Sequence, residues 1–223
     1  MSVIVKICGL STEDTLDAAL DAGADMVAFN FFPKSPRFVT PARAAALAGR
    51  VRGRAEIVAL TVDLDEAALA EIVETVRPDW LQLHGRETPE AVAAVQDCFG
   101  LGVLKALGIS DAADVAAVAA FAGVADRLLL DAKAPKGAAL PGGNGLSFDW
   151  SLLDGLDADL PYMLAGGLDP SNVGIALAET RAIGVDASSG VESAPGVKDP
   201  ERIRAFIAAA RGSVSLERAG QPA

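Results

Sequence analysis

The chain has 223 residues, 51% of them hydrophobic, which is a natural length for one barrel domain and ample material for its core. It carries 19 Lys and Arg against 30 Asp and Glu, a formal net charge of -11; that field repels a phosphate-rich polymer and argues against nucleic acid as a partner. A small anion is still admissible, because a few aimed N–H groups bind one locally.

Short β-rich runs alternate with helical patterns from end to end. Strands are expected at Val3–Ile7, Asp25–Phe31, Glu56–Val62 and Asp79–Leu83, then at Gly102–Leu107, Arg127–Asp131, Pro161–Ala165 and Ala182–Ala187. Most are near-continuous apolar runs, as parallel strands covered on both faces require. Thr40-Pro41, Thr88-Pro89, Asp169-Pro170 and Asp199-Pro200 each place a capping side chain before a proline at the first helical position. The third helix carries Leu69, Ile72, Val73 and Val76, and the eighth carries Ile203, Phe206, Ile207 and Ala210, each one apolar stripe. The sixth helix is the weakest, reduced to Trp150–Leu153. Eight units of about 28 residues predict an α/β fold, a single (β/α)8 TIM barrel over 1–211, followed by a polar, frayed tail over 212–223. An open doubly wound sheet is the rival, but no Gly-x-Gly-x-x-Gly turn follows the first strand.

Two cysteines, Cys8 and Cys98, are too few for a disulfide framework and fit a reducing compartment. The longest clean apolar run, Val115 to Ala125, is too short to cross a bilayer, and the first strand starts almost at the N-terminus. The expectation is a cytoplasmic protein with no membrane partner. One histidine, His84, and no Cys-x-x-Cys pair argue against a metal site.

In a barrel, reactive groups sit at the C-terminal ends of strands and in the loops beyond them. Cys8 ends the first strand, Lys34-Ser35-Pro36-Arg37 follows the second, His84 ends the fourth and Asp131 the sixth. Gly166 and Gly167 follow the seventh, and Asp186, Ser188, Ser189 and Gly190 close the eighth. The last two loops read as a phosphate site, where small residues admit an anion and hydroxyls add donors, although glycines also simply make tight turns. Cys8 and Asp131 are the candidate base and acid. A thiol needs a positive field to serve as base near neutrality, and a carboxyl must be kept protonated to serve as acid. The plain alternatives are a small buried hydrophobe at Cys8 and a structural carboxylate at Asp131. Lys6 shares strand parity with Cys8 and is expected inside the barrel as a paired charge whose field could lower the thiol. His84 is read as bonding its neighbours, Cys98 as structural, and Arg37 as part of a proline-shaped loop.

At these residues the chain resembles the phosphoribosylanthranilate isomerase family. The likeness runs through Val5-Lys6-Ile7-Cys8-Gly9-Leu10, Phe32 to Val39, Leu81-Gln82-Leu83-His84-Gly85 and Leu130-Asp131. It continues in Pro141-Gly142-Gly143-Asn144-Gly145, Phe148-Asp149-Trp150, Ala165 to Leu168 and Asp186 to Glu192. Asn144, where threonine is expected, and Asn30 depart from the family pattern. The resemblance implies an Amadori rearrangement of N-(5'-phosphoribosyl)anthranilate in tryptophan biosynthesis. It implies Asp131 as the acid on the furanose oxygen, Cys8 as the base at C2', and Arg37 facing the anthranilate carboxylate. The loops after the seventh and eighth strands would hold the phosphate. Both steps are proton transfers and call for no cofactor. Association with other enzymes of the pathway stays open. The histidine-pathway isomerase of the same chemistry is the runner-up, since it uses an aspartate where this chain has Cys8 and resembles a duplicated half-barrel with two phosphate sites. A non-catalytic phosphosugar sensor and a Cys–His hydrolase are the other readings.

Overall fold

The computed structural model describes residues 3–134, 137–138, 140, 142–143 and 145–219, with side chains as far as 212. The apolar runs form β1 (Ile4–Cys8), β2 (Met26–Asn30), β3 (Glu56–Thr61) and β4 (Trp80–Leu83). They continue as β5 (Gly102–Ile109), β6 (Arg127–Ala132), β7 (Tyr162–Leu164) and β8 (Gly184–Ala187). Each strand pairs in parallel with its sequence neighbour, and β8 returns to β1 with Ile4 opposite Gly184 and Ile7 opposite Ala187. The sheet is therefore a closed barrel, and the open doubly wound alternative is ruled out because β1 and β8 are not edges.

Strand parity divides the core in two. Cys8, Ala28, Leu60, Leu104, Leu129 and Met163 fill the barrel interior. The alternate residues, among them Val5, Ile7, Phe29, Leu130 and Val185, face outward and pack under the helices. Lys6 and Gln82 share the interior parity and are fully buried.

The helices are α1 (Glu13–Asp21), α2 (Pro41–Val51), α3 (Glu66–Val76), α4 (Pro89–Phe99), α5 (Ala112–Val118), α6 (Val173–Glu179) and α7 (Pro200–Ala219). Thr40 and Thr88 cap α2 and α4 by accepting from the Arg43 and Ala91 N–H groups. The α7 stripe, Ile203, Phe206, Ile207 and Ala210, is buried, and on α3 Leu69, Ile72 and Val76 are buried while Val73 is half-buried. The sixth helix is a 3-10 turn at Trp150–Gly155, started by Asp149 accepting from Ser151 N.

The helix start expected at Asp169-Pro170 is corrected, because α6 begins at Val173. Asp169 Oδ1 accepts from Ser171 and Asn172, while Asn172 returns a bond to Gly167 O, so the capping residues close a turn instead. Cys98 is exposed on α4 rather than packed. Helical backbone in α7 continues past Arg211 to Ala219.

A repeated device holds the barrel's N-terminal rim. Asp25, Asp79 and Asp126 each immediately precede an even-numbered strand, β2, β4 and β6. Their carboxylates accept from the N–H of Val5, Ile57 and Val103 on the preceding strand at 2.7, 2.7 and 2.8 Å. Stability groups thus occupy one rim and leave the other for chemistry.

Candidate functional site

A solvent-open cleft of about 700 Å³ lies at the C-terminal ends of the strands, and it brings together the sequence-selected residues Cys8, Arg37, Asp131, Gly166, Gly167, Asp186, Ser188 and Ser189. Gly190 is not in its wall. A side chain there would strike the Leu168 carbonyl, so Gly190 serves the close packing of the eighth loop on the seventh.

Cys8 ends β1 at 4% exposure, with Lys6 below it on the same face of the strand. Lys6 Nζ donates to Asp186 Oδ1 at 2.8 Å, and this pair is the structural charge pair that strand parity suggests. Burial acts to lower the Lys6 pKa, but Asp186, Cys8 and Asp131 together hold it above the usual lysine value. Burial pushes the Cys8 thiol up; the Lys6, Lys198 and Arg37 cations oppose that rise and Asp186 adds to it. The expected lowering of the thiol by Lys6 is thus overridden, because desolvation of the thiolate exceeds the cations' attraction.

A base works deprotonated, so a raised pKa moves the ascending limb of activity upward. For the free protein, kcat/KM is expected to be still climbing at about pH 8.5, the ordinary thiol value. A flat profile from neutrality to that pH would remove Cys8 from the base role.

Arg37 is shaped by three elements. Asn30 Oδ1 accepts from Phe32 N and its Nδ2 meets Ser35 Oγ at 3.3 Å, which turns the loop after β2. Gly9, at φ 78°, has no side chain, and a Cβ there would lie 2.8 Å from Arg37 Cδ, so the glycine makes room for the arginine stem. The guanidinium then forks onto Glu192, with Nε at 2.7 Å from Oε1 and Nη2 at 2.9 Å from Oε2. Although burial opposes it, Glu192 keeps the Arg37 pKa above its ordinary value.

Glu192 begins β9 (Glu192–Ala194), which pairs with β10 (Val197–Lys198) in a small antiparallel hairpin. Lys198 Nζ reaches back to Glu192 at 2.7 Å and to the Ser188 carbonyl at 2.8 Å. Its pKa is held below the usual lysine value by burial. Glu192 stood inside a quoted motif and Lys198 carried no signal; both are buried members of the site that sequence reasoning did not single out.

His84, just beyond β4, faces Asp131 across the cleft, with Nε2 3.3 Å from Oδ2. Its Nδ1 is 3.1 Å from Gln82 Nε2, so the reading of His84 as hydrogen-bonded to a neighbour stands for Gln82, while the candidate acid is a close charged contact. The glycine-rich segment after β6 covers this pair. A side chain at Gly142 would collide with Asp131 and His84, and one at Gly143 would meet Arg37 Nη1 at 2.6 Å. Pro141 and Asn144 of that segment lie outside the described residues.

The two loops expected to hold phosphate are differentiated. Ser188 Oγ donates to the Cys8 carbonyl at 3.2 Å and accepts from Lys198, so its hydroxyl proton is already engaged. Among the described residues, the Gly167 and Ser189 N–H groups and the Ser189 hydroxyl have no hydrogen-bond partner. Asp186 is spent on Lys6, and its carboxylate would repel a phosphate.

Comparison with known proteins agrees with this geometry. The family described as N-(5'phosphoribosyl)anthranilate (PRA) isomerase matches residues 5–209. An N-(5'-phosphoribosyl)anthranilate isomerase of Rhodopseudomonas palustris (strain BisA53) is 62% identical over 216 residues, 97% of this chain and 99% of the relative. That of Afipia carboxidovorans is 59% identical over 218 residues, 98% of this chain and 93% of the relative. The phosphoribosyl anthranilate isomerase structure from Thermotoga maritima superposes with TM-score 0.83 at 33% identity, covering 94% of this chain and 99% of that one. Another such isomerase structure, in complex with reduced 1-(o-carboxyphenylamino)-1-deoxyribulose 5-phosphate, superposes at 0.81 with 31% identity over 94% and 99%.

Proposed function

The chain belongs to the N-(5'-phosphoribosyl)anthranilate isomerase family, and on that premise we propose how its own residues carry the rearrangement. The activity is the isomerisation of N-(5'-phosphoribosyl)anthranilate to 1-(2-carboxyphenylamino)-1-deoxyribulose 5-phosphate in tryptophan biosynthesis. The observation that carries the assignment of roles is one cleft holding a buried thiol at the end of β1 and a buried carboxyl at the end of β6.

Asp131 in its acid form gives its proton to the furanose ring oxygen. The C1'–O bond breaks, and the anthranilate nitrogen shares its electron pair to form an iminium. The Cys8 thiolate then takes the C2' proton, and the resulting enolamine tautomerises to the ketone. Both transfers need positioned groups of opposite protonation, and general acid–base catalysis supplies them.

Arg37 Nη1 has no hydrogen-bond partner among the described residues, at the edge of a guanidinium clamped by Glu192, and it is assigned to the substrate carboxylate. Arg37→Ala should lower kcat/KM by about 10- to 100-fold, the worth of a charge-assisted hydrogen bond. Wild-type kcat/KM in a folded variant would place the carboxylate contact elsewhere.

The phosphate is assigned to Gly167, Gly166 and Ser189, where small residues and unengaged N–H groups admit an anion. Ser188 and Gly190 shape the loop, and Asp186 is left to accept a sugar hydroxyl. Gly167→Val cannot test this assignment, since a Cβ at φ 64° would lie 2.7 Å from the Leu146 carbonyl carbon. Ser189→Asp is the cleaner test, because it adds a negative charge without disturbing a packed backbone. It should raise KM about tenfold or more while stability changes little, since like charges at close range disfavour binding. An unchanged affinity for a ribose-phosphate product analogue would sink the assignment.

The locale is assigned to the cytoplasm. Cys8 and Cys98 are both free thiols, and among the described residues no helix is long and apolar enough to cross a membrane.

A further inference from the structure

Gln82 sits on β4 with its side chain in the barrel interior, fully buried, opposite Leu60 of β3 and Leu104 of β5. One end of its amide is used, Nε2 lying 3.1 Å from His84 Nδ1. The other end, Oε1, is buried with no hydrogen-bond partner among the described residues. A buried amide oxygen left unpaired is costly and calls for a reason. Since His84 Nε2 is 3.3 Å from Asp131 Oδ2, the three side chains form a chain that starts in the core and ends in the cleft.

A neutral imidazole donates through one nitrogen and accepts through the other. With the amide as found, Gln82 donates to Nδ1, so the neutral ring carries its proton on Nε2, the nitrogen 3.3 Å from the Asp131 carboxylate. That is the arrangement after Asp131 has given its proton away. When the proton returns, whether Asp131 holds it or shares it with the ring, Nδ1 carries a hydrogen and needs an acceptor. Half a turn of the Gln82 amide brings Oε1 to it. No bond at Oε1 resists that rotation, so the orphaned oxygen is what leaves the amide free to follow the ring.

We propose that Gln82 is a positioning residue for the acid step, its amide rotating with the His84 proton so that the ring nitrogen 3.3 Å from Asp131 matches the carboxyl's protonation before and after transfer. The proposal rests on Asp131 as the acid. Cys8, Arg37 and Asp186 share the cleft wall with the pair, and Lys6 lies within electrostatic reach of Asp131. Behind β4, Lys105 pairs with Glu87 and bonds the Leu83 and Gly85 carbonyls on either side of His84. Among the described residues, none of these charged groups bonds Gln82, and Asp131 alone of them meets the His84 ring.

His84 is the one histidine in the chain, so isotopic labelling of histidine reports its ring alone. With the full chain, the ring nitrogens and the Gln82 side-chain amide are followed by NMR as pH is varied. The ring is expected as the Nε2–H tautomer above its titration, with the Gln82 amide signal moving at the same midpoint. Gln82→Met, of similar length but without the hydrogen bond, should erase that tautomer preference. It should also lower kcat about fivefold to tenfold with KM unchanged, the worth of one hydrogen bond. An amide signal that ignores the ring titration overturns the proposal, as does a Met variant with wild-type tautomer and kcat. If the Met variant does not fold, the wild-type titration decides by the first criterion. An Asp131→Asn variant with normal turnover overturns the proposal through its premise. An uncoupled amide with Asp131 still required overturns it alone.

Discussion

Replacing Cys8 with serine or Asp131 with asparagine is expected to lower kcat on N-(5'-phosphoribosyl)anthranilate by at least about 10²-fold each, the lower end of what a general acid or base contributes. Serine keeps the shape of the side chain at the end of β1, but its hydroxyl is a far weaker base than a thiolate. Asparagine keeps the shape of the carboxyl at the end of β6 but has no acidic proton to give. Both positions are buried, and neither residue is assigned to the phosphate, so both variants should fold and keep their affinity for a product analogue. Single-turnover rates and analogue affinity separate the outcomes. Near-wild-type turnover in either variant removes that residue's role. Loss of binding together with rate in both would make the pair structural.

The second large effect is on stability. Lys6→Met removes one member of an ion pair whose partners are 0% and 9% exposed, and leaves the Asp186 carboxylate without its cation. Breaking a buried pair from one side costs about 3–5 kcal/mol, because the remaining charge is desolvated and uncompensated. The loss should appear as a lower urea midpoint with an unchanged slope. The double change Lys6→Met with Asp186→Asn should recover a large part of it, since no lone charge then remains. A single variant within about 0.5 kcal/mol of wild type would contradict the buried-pair account. The Lys6 cation also holds the Cys8 thiol down, so its loss should push that thiol higher and slow the base step at neutral pH.

Much of this architecture was legible in the chain because it is written in local periodicity. Near-continuous apolar runs placed all eight strands within a few residues, and Thr-Pro pairs located α2 and α4. Strand parity alone places Lys6 and Cys8 on one inward face of β1. Where local signals compete, the sequence was ambiguous. Asp169-Pro170 has the form of a helix start, yet its carboxylate closes a turn before α6. The rim carboxylates Asp25, Asp79 and Asp126 repeat one residue before three strands, a pattern that reading for catalytic residues alone passes over.

In the site, positions were legible but partnerships were not. Arg37 and Glu192 are 155 residues apart, and nothing between them announces that one clamps the other. Ser188 and Asp186 were both read as groups for the substrate, but the fold engages the first with Cys8 and Lys198 and the second with Lys6. The balance at Cys8 depends on how deeply the thiol is buried, which is a property of packing across the whole barrel. Family resemblance supplied the roles, and long-range contacts decide how each role is supported.

The central claim is that this chain turns its substrate over through Cys8 and Asp131 rather than merely holding a phosphosugar. The most direct test mixes purified protein with N-(5'-phosphoribosyl)anthranilate and follows the anthranilate fluorescence in time. The account predicts a catalysed change that yields 1-(2-carboxyphenylamino)-1-deoxyribulose 5-phosphate and falls away when either residue is replaced. Binding of the substrate with no acceleration over the protein-free reaction would contradict it.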